Sequence, residues 1–322
     1  MSTATARRGV LALPGRLVGL IRDLILGTLF CLTPVTALIA LGWLTRVMGA
    51  TIDRHRGQAP EPVGWILGPK GQGGIARALG GLGANIRSGV MTAAGLAVFT
   101  LPFTLAWLGA WWAGWENSFN KGYEQASVGP LIWFAGTALA LPVLAHLPFA
   151  LAHFAAERRW PAFFELRRIH SVFAAAGWRA VWLALLSALT VVPFFGLRAM
   201  PVFVEGIVPG FAEMTPEAQL QVARGFMLAG AALSFAVLLF LRTMAARLYA
   251  RSIPRAAARW PALWPDVRAE GAVPSRVMRW VWLGLAMLVW LAVPVSIVFG
   301  QFMNYDPVLW LTHPLYLLPW AG

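Results

Sequence analysis

The chain contains one cysteine, two lysines and only thirteen acidic residues among its 322. Each scarcity excludes something. A single cysteine, Cys31, forbids an intrachain disulfide and any cysteine metal cluster. It reads as a small packing residue of a membrane helix. Charged residues make up 12% of the chain and hydrophobic residues 59%, against about a quarter and about 45–50% in soluble domains. Water-soluble globular classes and intrinsic disorder are excluded together. No Gly-x-Ser-x-Gly elbow occurs and no Ser/His/Asp set converges by sequence, so an enzyme is not expected. The glycine-rich stretch from Gly68 to Gly74 has its lysine, Lys70, too early for a P-loop and reads as a connection. Acidic residues are also missing from the long apolar runs. Intramembrane carboxylates carry ions in proton-coupled carriers and pumps, so those classes are disfavoured, while a passive channel stays compatible.

What is present is apolar length. Runs occur at Leu24–Leu44, Ser88–Trp115, Ser127–Ala156, Ala180–Leu197, Gly225–Leu241 and Trp280–Phe302. A helix needs roughly 20 apolar residues to cross about 30 Å of hydrocarbon, and backbone groups in lipid must be satisfied within the segment. The expected fold is therefore all-α: an integral membrane protein of about six transmembrane helices. Ahead of the first run, Leu17, Val18, Leu20, Ile21, Leu24 and Ile25 share one helical face, and Arg16, Arg22 and Asp23 share the other. That pattern predicts an amphipathic helix over Gly15–Leu26, lying in the headgroup region. Arg7-Arg8 does not open a cleaved signal, because charges interrupt the following run and no small-residue cleavage site follows.

The net charge of +13 is unevenly placed. Segments 45–87, 157–179 and 242–279 are rich in arginine, whereas 116–124, 199–223 and 301–322 are acidic or nearly uncharged. The positive-inside rule makes the first set cytoplasmic and puts the C-terminus in the periplasm of a bacterial inner membrane. One conflict stays open. The N-terminal tail carries Arg7, Arg8, Arg16 and Arg22. If Leu24–Leu44 crosses fully, that tail is outside, against the rule. If the run is broken at Pro34 and returns, the tail stays inside.

Two stretches repeat at a spacing of 100 residues. Arg159-Trp160-Pro161-Ala162 recurs as Arg259-Trp260-Pro261-Ala262, and Arg179-x-Val181-Trp182-Leu183-x-Leu185 recurs as Arg279-x-Val281-Trp282-Leu283-x-Leu285. Each second motif precedes a proline inside the run, Pro193 or Pro294, and a fainter third copy runs from Arg87 to Pro102. The predicted organisation is a tail with an interfacial helix over 1–23, one helical domain over 24–302 built of three pseudo-repeated hairpins (24–115, 127–198 and 225–302), and an aromatic, proline-rich tail over 303–322. Pseudo-symmetry of this kind is common in transporters.

Gly42-Trp43-Leu44-Thr45-Arg46-Val47, followed by Pro60, Pro62 and Trp65, resembles the first hairpin of a bacterial membrane-protein family known as domain of unknown function 4013. The stretch from His153-Phe154-Ala155-Ala156-Glu157 to Phe163-Phe164 is similar to that family's second cytoplasmic connection. The resemblance covers about half of the chain. It implies a polytopic membrane protein and no activity.

His146 and His153 are seven residues apart on one helical face. A transmembrane haem takes axial histidines from two helices, and His55, His170 and His313 lie in connections or the tail, so no haem or other cofactor is expected. No carboxylate or cysteine stands at metal-ligand spacing beside them. Arg247, Arg251, Arg255 and Arg259 recur every four residues and form one basic stripe on a helix. Such a stripe is ordinary topological anchoring, or a site for anionic lipid headgroups or an acidic partner. Division of the arginines among loops speaks against nucleic acid. Arg198 and Arg224 flank the acidic outer loop, as partners of Glu205, Glu213 or Glu217 or as contacts for a solute. Thr215-Pro216-Glu217 predicts a helix start: capping hydroxyl, proline at the first position, acid in the first turn. Most of the seventeen tryptophans fit interfacial belts. Trp310 and Trp320 in the tail also suit packing against other membrane subunits, a pigment or a quinone. Two functions are expected on this basis: a non-catalytic accessory, scaffold or assembly subunit of a membrane complex, or a permease or channel for a small solute, anions included.

Overall fold

The structure, a computed structural model, describes residues 3–68, 73–110, 112, 128–199 and 204–295, with side chains over 17–68, 73–75, 77–110, 112, 128–190 and 204–295. Among the described residues there are helices and no strands. The helices are α1 (Thr3–Phe30), α2 (Pro34–His55), α3 (Gly74–Ala110), α4 (Val128–Glu157), α5 (Leu166–Ala176), α6 (Trp178–Ala199), α7 (Pro216–Arg259) and α8 (Arg276–Trp290). Five of them, α2, α3, α4, α7 and the helix Arg276–Val295 that contains α8, are long and apolar enough to cross a membrane. A sixth candidate is the pair α5 and α6, bent by 96°. The bend sits at Gly177, whose φ of 61° suits a residue without a side chain.

Helix α4 is apolar on every side and packs against α2, α3, α5, α7 and α8. A helix hydrophobic all round belongs at the centre of a bundle. Helix α2 is the other enclosed element: 72% of its apolar window is buried, against about a third in the other candidates. Those others leave large apolar side chains such as Leu105, Phe134, Leu189, Phe240 and Leu288 exposed, as lipid-facing helices do. Close approach of α2 to α3 rests on two glycines. A Cβ on Gly42 would collide with the Asn85 carbonyl, and one on Gly89 with the Leu38 carbonyl. Small residues let helices meet backbone to backbone where lipid gives no hydrophobic drive for association.

The first apolar run differs from the single span considered for it. It is cut at residues 31–33, where Thr33 caps α2 by accepting from the Thr36 amide and Pro34 takes the first helical position. The helix of spanning length is therefore Pro34–His55, displaced by ten residues from Leu24–Leu44. It carries Arg46 and Asp53, which the sequence pattern assigns to a connection. Asp53, beyond the acid-free run Leu24–Leu44, is buried near the C-terminal end of α2. Arg158 at the end of α4 compensates it at 2.6 Å.

The two ends of the run Leu24–Leu44 are also brought together. The Trp65 indole donates to Asp23 at 3.1 Å and stacks on Trp43 with ring centroids 4.3 Å apart and planes within 8°. A straight helix over 24–44 would separate those ends by about 30 Å. Phe30 and Phe235 complete the aromatic cluster, which joins α1, α2, the 57–68 loop and α7. The expected interfacial helix over Gly15–Leu26 is part of α1, and Leu17, Val18, Leu20, Ile21 and Ile25 of its apolar face are exposed. The predicted start at Thr215 is observed: its hydroxyl accepts from the Ala218 amide with Pro216 first in the helix. From there α7 runs 44 residues, about 66 Å, so its last third projects well past its apolar run.

Both Arg-Trp-Pro-Ala motifs end a long helix in a 3-10 turn, Trp160–Phe164 after α4 and Pro261–Leu263 after α7. Beyond the turns the two copies diverge. The first motif leads into α5 and the second into a non-helical stretch before α8.

Candidate functional site

The arginine-rich connections meet at one end of the bundle. Here the C-terminal ends of α2 and α4, the second half of α7 and the starts of α6 and α8 lie together, linked by polar contacts in which each group is placed by a helix end. Glu165, just ahead of α5, is the hub. It accepts from the His153 ring at 2.8 Å and from Arg168 at 3.2 Å, and it pairs with Arg159. Burial of Glu165 raises its pKa, but the hydrogen bonds from His153 and Arg159 outweigh this and hold the carboxyl below the ordinary glutamate value. On its other side His153 contacts the Tyr249 hydroxyl at 2.6 Å. With Nε2–H donating to Glu165, Nδ1 accepts from Tyr249, and a neutral imidazole is satisfied at both nitrogens. Trp264 packs edge-on against His153, donates to Ser171 at 3.0 Å and lies under the Arg168 guanidinium. This chain of contacts ties α4, α5 and α7 together. It is a lock: Tyr249 and His153 are both buried.

His146 and His153 share a helix face, yet they have separate partners. His146 contacts the Pro142 carbonyl at 2.7 Å through Nδ1 and His170 of α5 at 3.0 Å through Nε2. Among the described residues no group of three or more metal-ligating side chains is assembled.

A second anchor fixes the loop after α2. Buried Asn85 donates to the Gly64 and Trp65 carbonyls at 3.0 and 2.9 Å and accepts from Arg46 at 2.8 Å. Arg46 also reaches Glu61 at 3.1 Å and the Pro62 carbonyl at 3.2 Å. Beside it an opening of about 240 Å³ is lined by Arg46, Arg87, Arg158, Glu61 and Ser88. Another of about 460 Å³, between the end of α2 and the 264–270 loop, balances Arg56, Arg168 and Arg268 with Glu157, Asp266 and Glu270.

The groove between α6 and α7 is different in character. It measures about 510 Å³ and is lined by Trp178, Arg179, Trp182, Arg247, Arg251 and Arg255, with Leu183, Leu186, Met244 and Leu248 as its apolar side. No carboxylate lines it. Trp178 and Trp182 are about half exposed. The helical stripe expected from residue spacing is thus present on α7. Arg259, at its end, does not line the groove, and Arg179, Trp178 and Trp182 enter it from α6, which spacing within one helix had no means to show. The groove pairs cations with an apolar wall, as an anionic headgroup on an acyl chain requires.

Arg224 is exposed on α7 and makes no ion pair with Glu205, Glu213 or Glu217. Arg198 lies in α6 with its side chain outside the described residues, and Trp310 and Trp320 lie outside them too. A cation that sequence reading passed over as a loop residue is inside the bundle. Arg242 is 4% exposed, and its Nη1 reaches the Thr45 hydroxyl at 3.4 Å. It adjoins a cavity of about 30 Å³.

Compared with family models, with curated proteins and with solved structures, the chain matches none.

Proposed function

We propose that this chain is a multi-pass protein of the bacterial inner membrane that acts as a non-catalytic accessory, scaffold or assembly subunit of a larger membrane complex, with its cytoplasmic end seated on anionic phospholipid. The observation that carries this reading is the acid-free groove of Arg179, Arg247, Arg251 and Arg255 framed by two tryptophans. The interior histidines support it, because each is engaged with protein partners that join helices. Purification in mild detergent is expected to recover stoichiometric protein partners together with co-purified anionic phospholipid. A monodisperse, partner-free chain overturns the subunit reading. Phospholipid content unchanged in the Arg251→Ala, Arg255→Ala double variant overturns the lipid seat.

We further infer that the first run is re-entrant and the N-terminus cytoplasmic. Contact of Asp23 and Trp43 with the same indole supports this, and it resolves the charge conflict: both tails then obey the positive-inside rule with five crossings. Duplication of a helical hairpin is our reading of the paired 3-10 turns. The likeness to the domain of unknown function 4013 fits the same architecture.

A second reading, a permease or channel for a small anion, is favoured by the cation Arg242 inside the bundle. Anion flux in proteoliposomes is its test, and a tight vesicle removes it.

A further inference from the structure

We propose that Arg242 holds one small monovalent anion of the chloride class in the cavity between α2, α4, α6, α7 and α8. Its guanidinium is almost fully enclosed, and of its three nitrogens only Nη1 has a partner, the Thr45 hydroxyl at a long 3.4 Å. Nε and Nη2 are buried without a hydrogen-bond partner. Thr45 supplies no negative charge. Its oxygen is already engaged with the Leu41 carbonyl at 2.9 Å and with Thr92 at 3.0 Å. Acids at the same end of the bundle are committed elsewhere, Asp53 to Arg158 and Glu165 to His153, Arg159 and Arg168. Arg242 has no ion pair among the described residues.

A guanidinium keeps its charge in proteins, and an uncompensated buried charge is strongly unfavourable. The missing element is a counter-anion, and the cavity defines which. About 30 Å³ beside Arg242 takes one or two water-sized particles, the scale of a monatomic ion. Met48, Leu151, Leu238 and Trp290 make most of the wall apolar, with Ser187 the remaining hydroxyl. A single cation in an apolar wall matches a single, weakly hydrated charge better than a polyvalent one. The guanidinium that lines this cavity carries the two unpartnered donors, Nε and Nη2. The site needs no conduction pathway, so it stands whether or not the bundle transports.

The test is equilibrium binding of radiolabelled chloride to the purified full chain in detergent. Saturable binding of about one chloride per chain is expected, displaced by bromide and not by gluconate or sulfate. Arg242→Met, which removes the charge and keeps the bulk, is expected to weaken binding at least tenfold. Ser187→Leu, which fills the cavity and leaves Arg242 in place, is expected to do the same, and it serves if Arg242→Met is not recovered as a folded protein. Absence of saturable binding in the wild type overturns the proposal, as does binding unchanged in either variant. Binding in detergent with no flux in vesicles keeps the anion site and removes the permease reading.

Discussion

His153 is held from two sides by residues 12 and 96 positions away, Glu165 and Tyr249. Because both ring nitrogens are satisfied in the neutral form, removing one partner leaves a buried nitrogen unmet. Tyr249→Phe deletes the donor to Nδ1 and is expected to cost about 1–3 kcal/mol of stability, read as a lowered melting temperature in detergent. Glu165 gives the lock a pH dependence. Its carboxyl titrates below the ordinary glutamate value in the folded chain, so the unfolded state binds the proton more readily. The stabilisation is complete above the ordinary glutamate range and is lost as pH falls through the depressed value. Melting temperature measured across the acid range is expected to drop there, and Glu165→Gln is expected to flatten that drop. Trp65, buried between Trp43 and Phe30, closes the first segment. Trp65→Ala is expected to cost about 3 kcal/mol or more and to loosen α1 first, seen as faster proteolysis near Asp23.

Helices in this bundle are positioned by a few backbone events. Gly42 and Gly89 let α2 and α3 touch, and the carbonyls of Asn85 and Leu38 fill the space that a methyl group would need. Backbone does not yield as a flexible side chain does. Gly42→Leu is therefore expected to separate the pair and release the 57–68 loop, because Asn85 and Arg46 then no longer align. A disulfide cross-link engineered between α2 and α3 measures this, with efficiency expected to fall severalfold. The bend at Gly177 has the same logic. Its positive φ, and Pro274 close to where a Cβ would stand, make Gly177→Val a strained substitution that straightens the α5–α6 junction. The long α7 is different: its start is set by Thr215 and Pro216, and its length lets it contact α1, α2, α4, α5 and α6 in turn.

At the scale of the whole molecule, charge placement and folding of the first segment bear on the same question. With α1 and α2 folded back on Trp65, a cysteine introduced as Ser2→Cys is expected to be inaccessible to an impermeant maleimide from outside intact spheroplasts, and labelled after permeabilisation. Labelling from outside restores the full span. On the proposed topology the basic groove faces the anionic cytoplasmic leaflet, whose attraction is worth about 1 kcal/mol per basic residue near the surface. Screening by salt is expected to weaken phospholipid retention by the wild type more than by the Arg251→Ala, Arg255→Ala variant, which keeps only Arg179 and Arg247 in the groove.

Apolar run length in the sequence determined that the chain is helical and of membrane-crossing composition, because helical rise and hydrocarbon thickness are fixed quantities. Capping chemistry placed the start of α7, and four-residue spacing put Arg247, Arg251, Arg255 and Arg259 on one side of it. Tertiary structure alone decided what those residues meet. Partners such as Tyr249 for His153, Trp65 for Trp43 and Arg179 for the α7 stripe lie on other elements, and no local periodicity encodes which helix lands beside which. Arg242 shows the difference most clearly. Beside an apolar run it looks like one more boundary arginine, and its enclosure by five helices exists only once they pack.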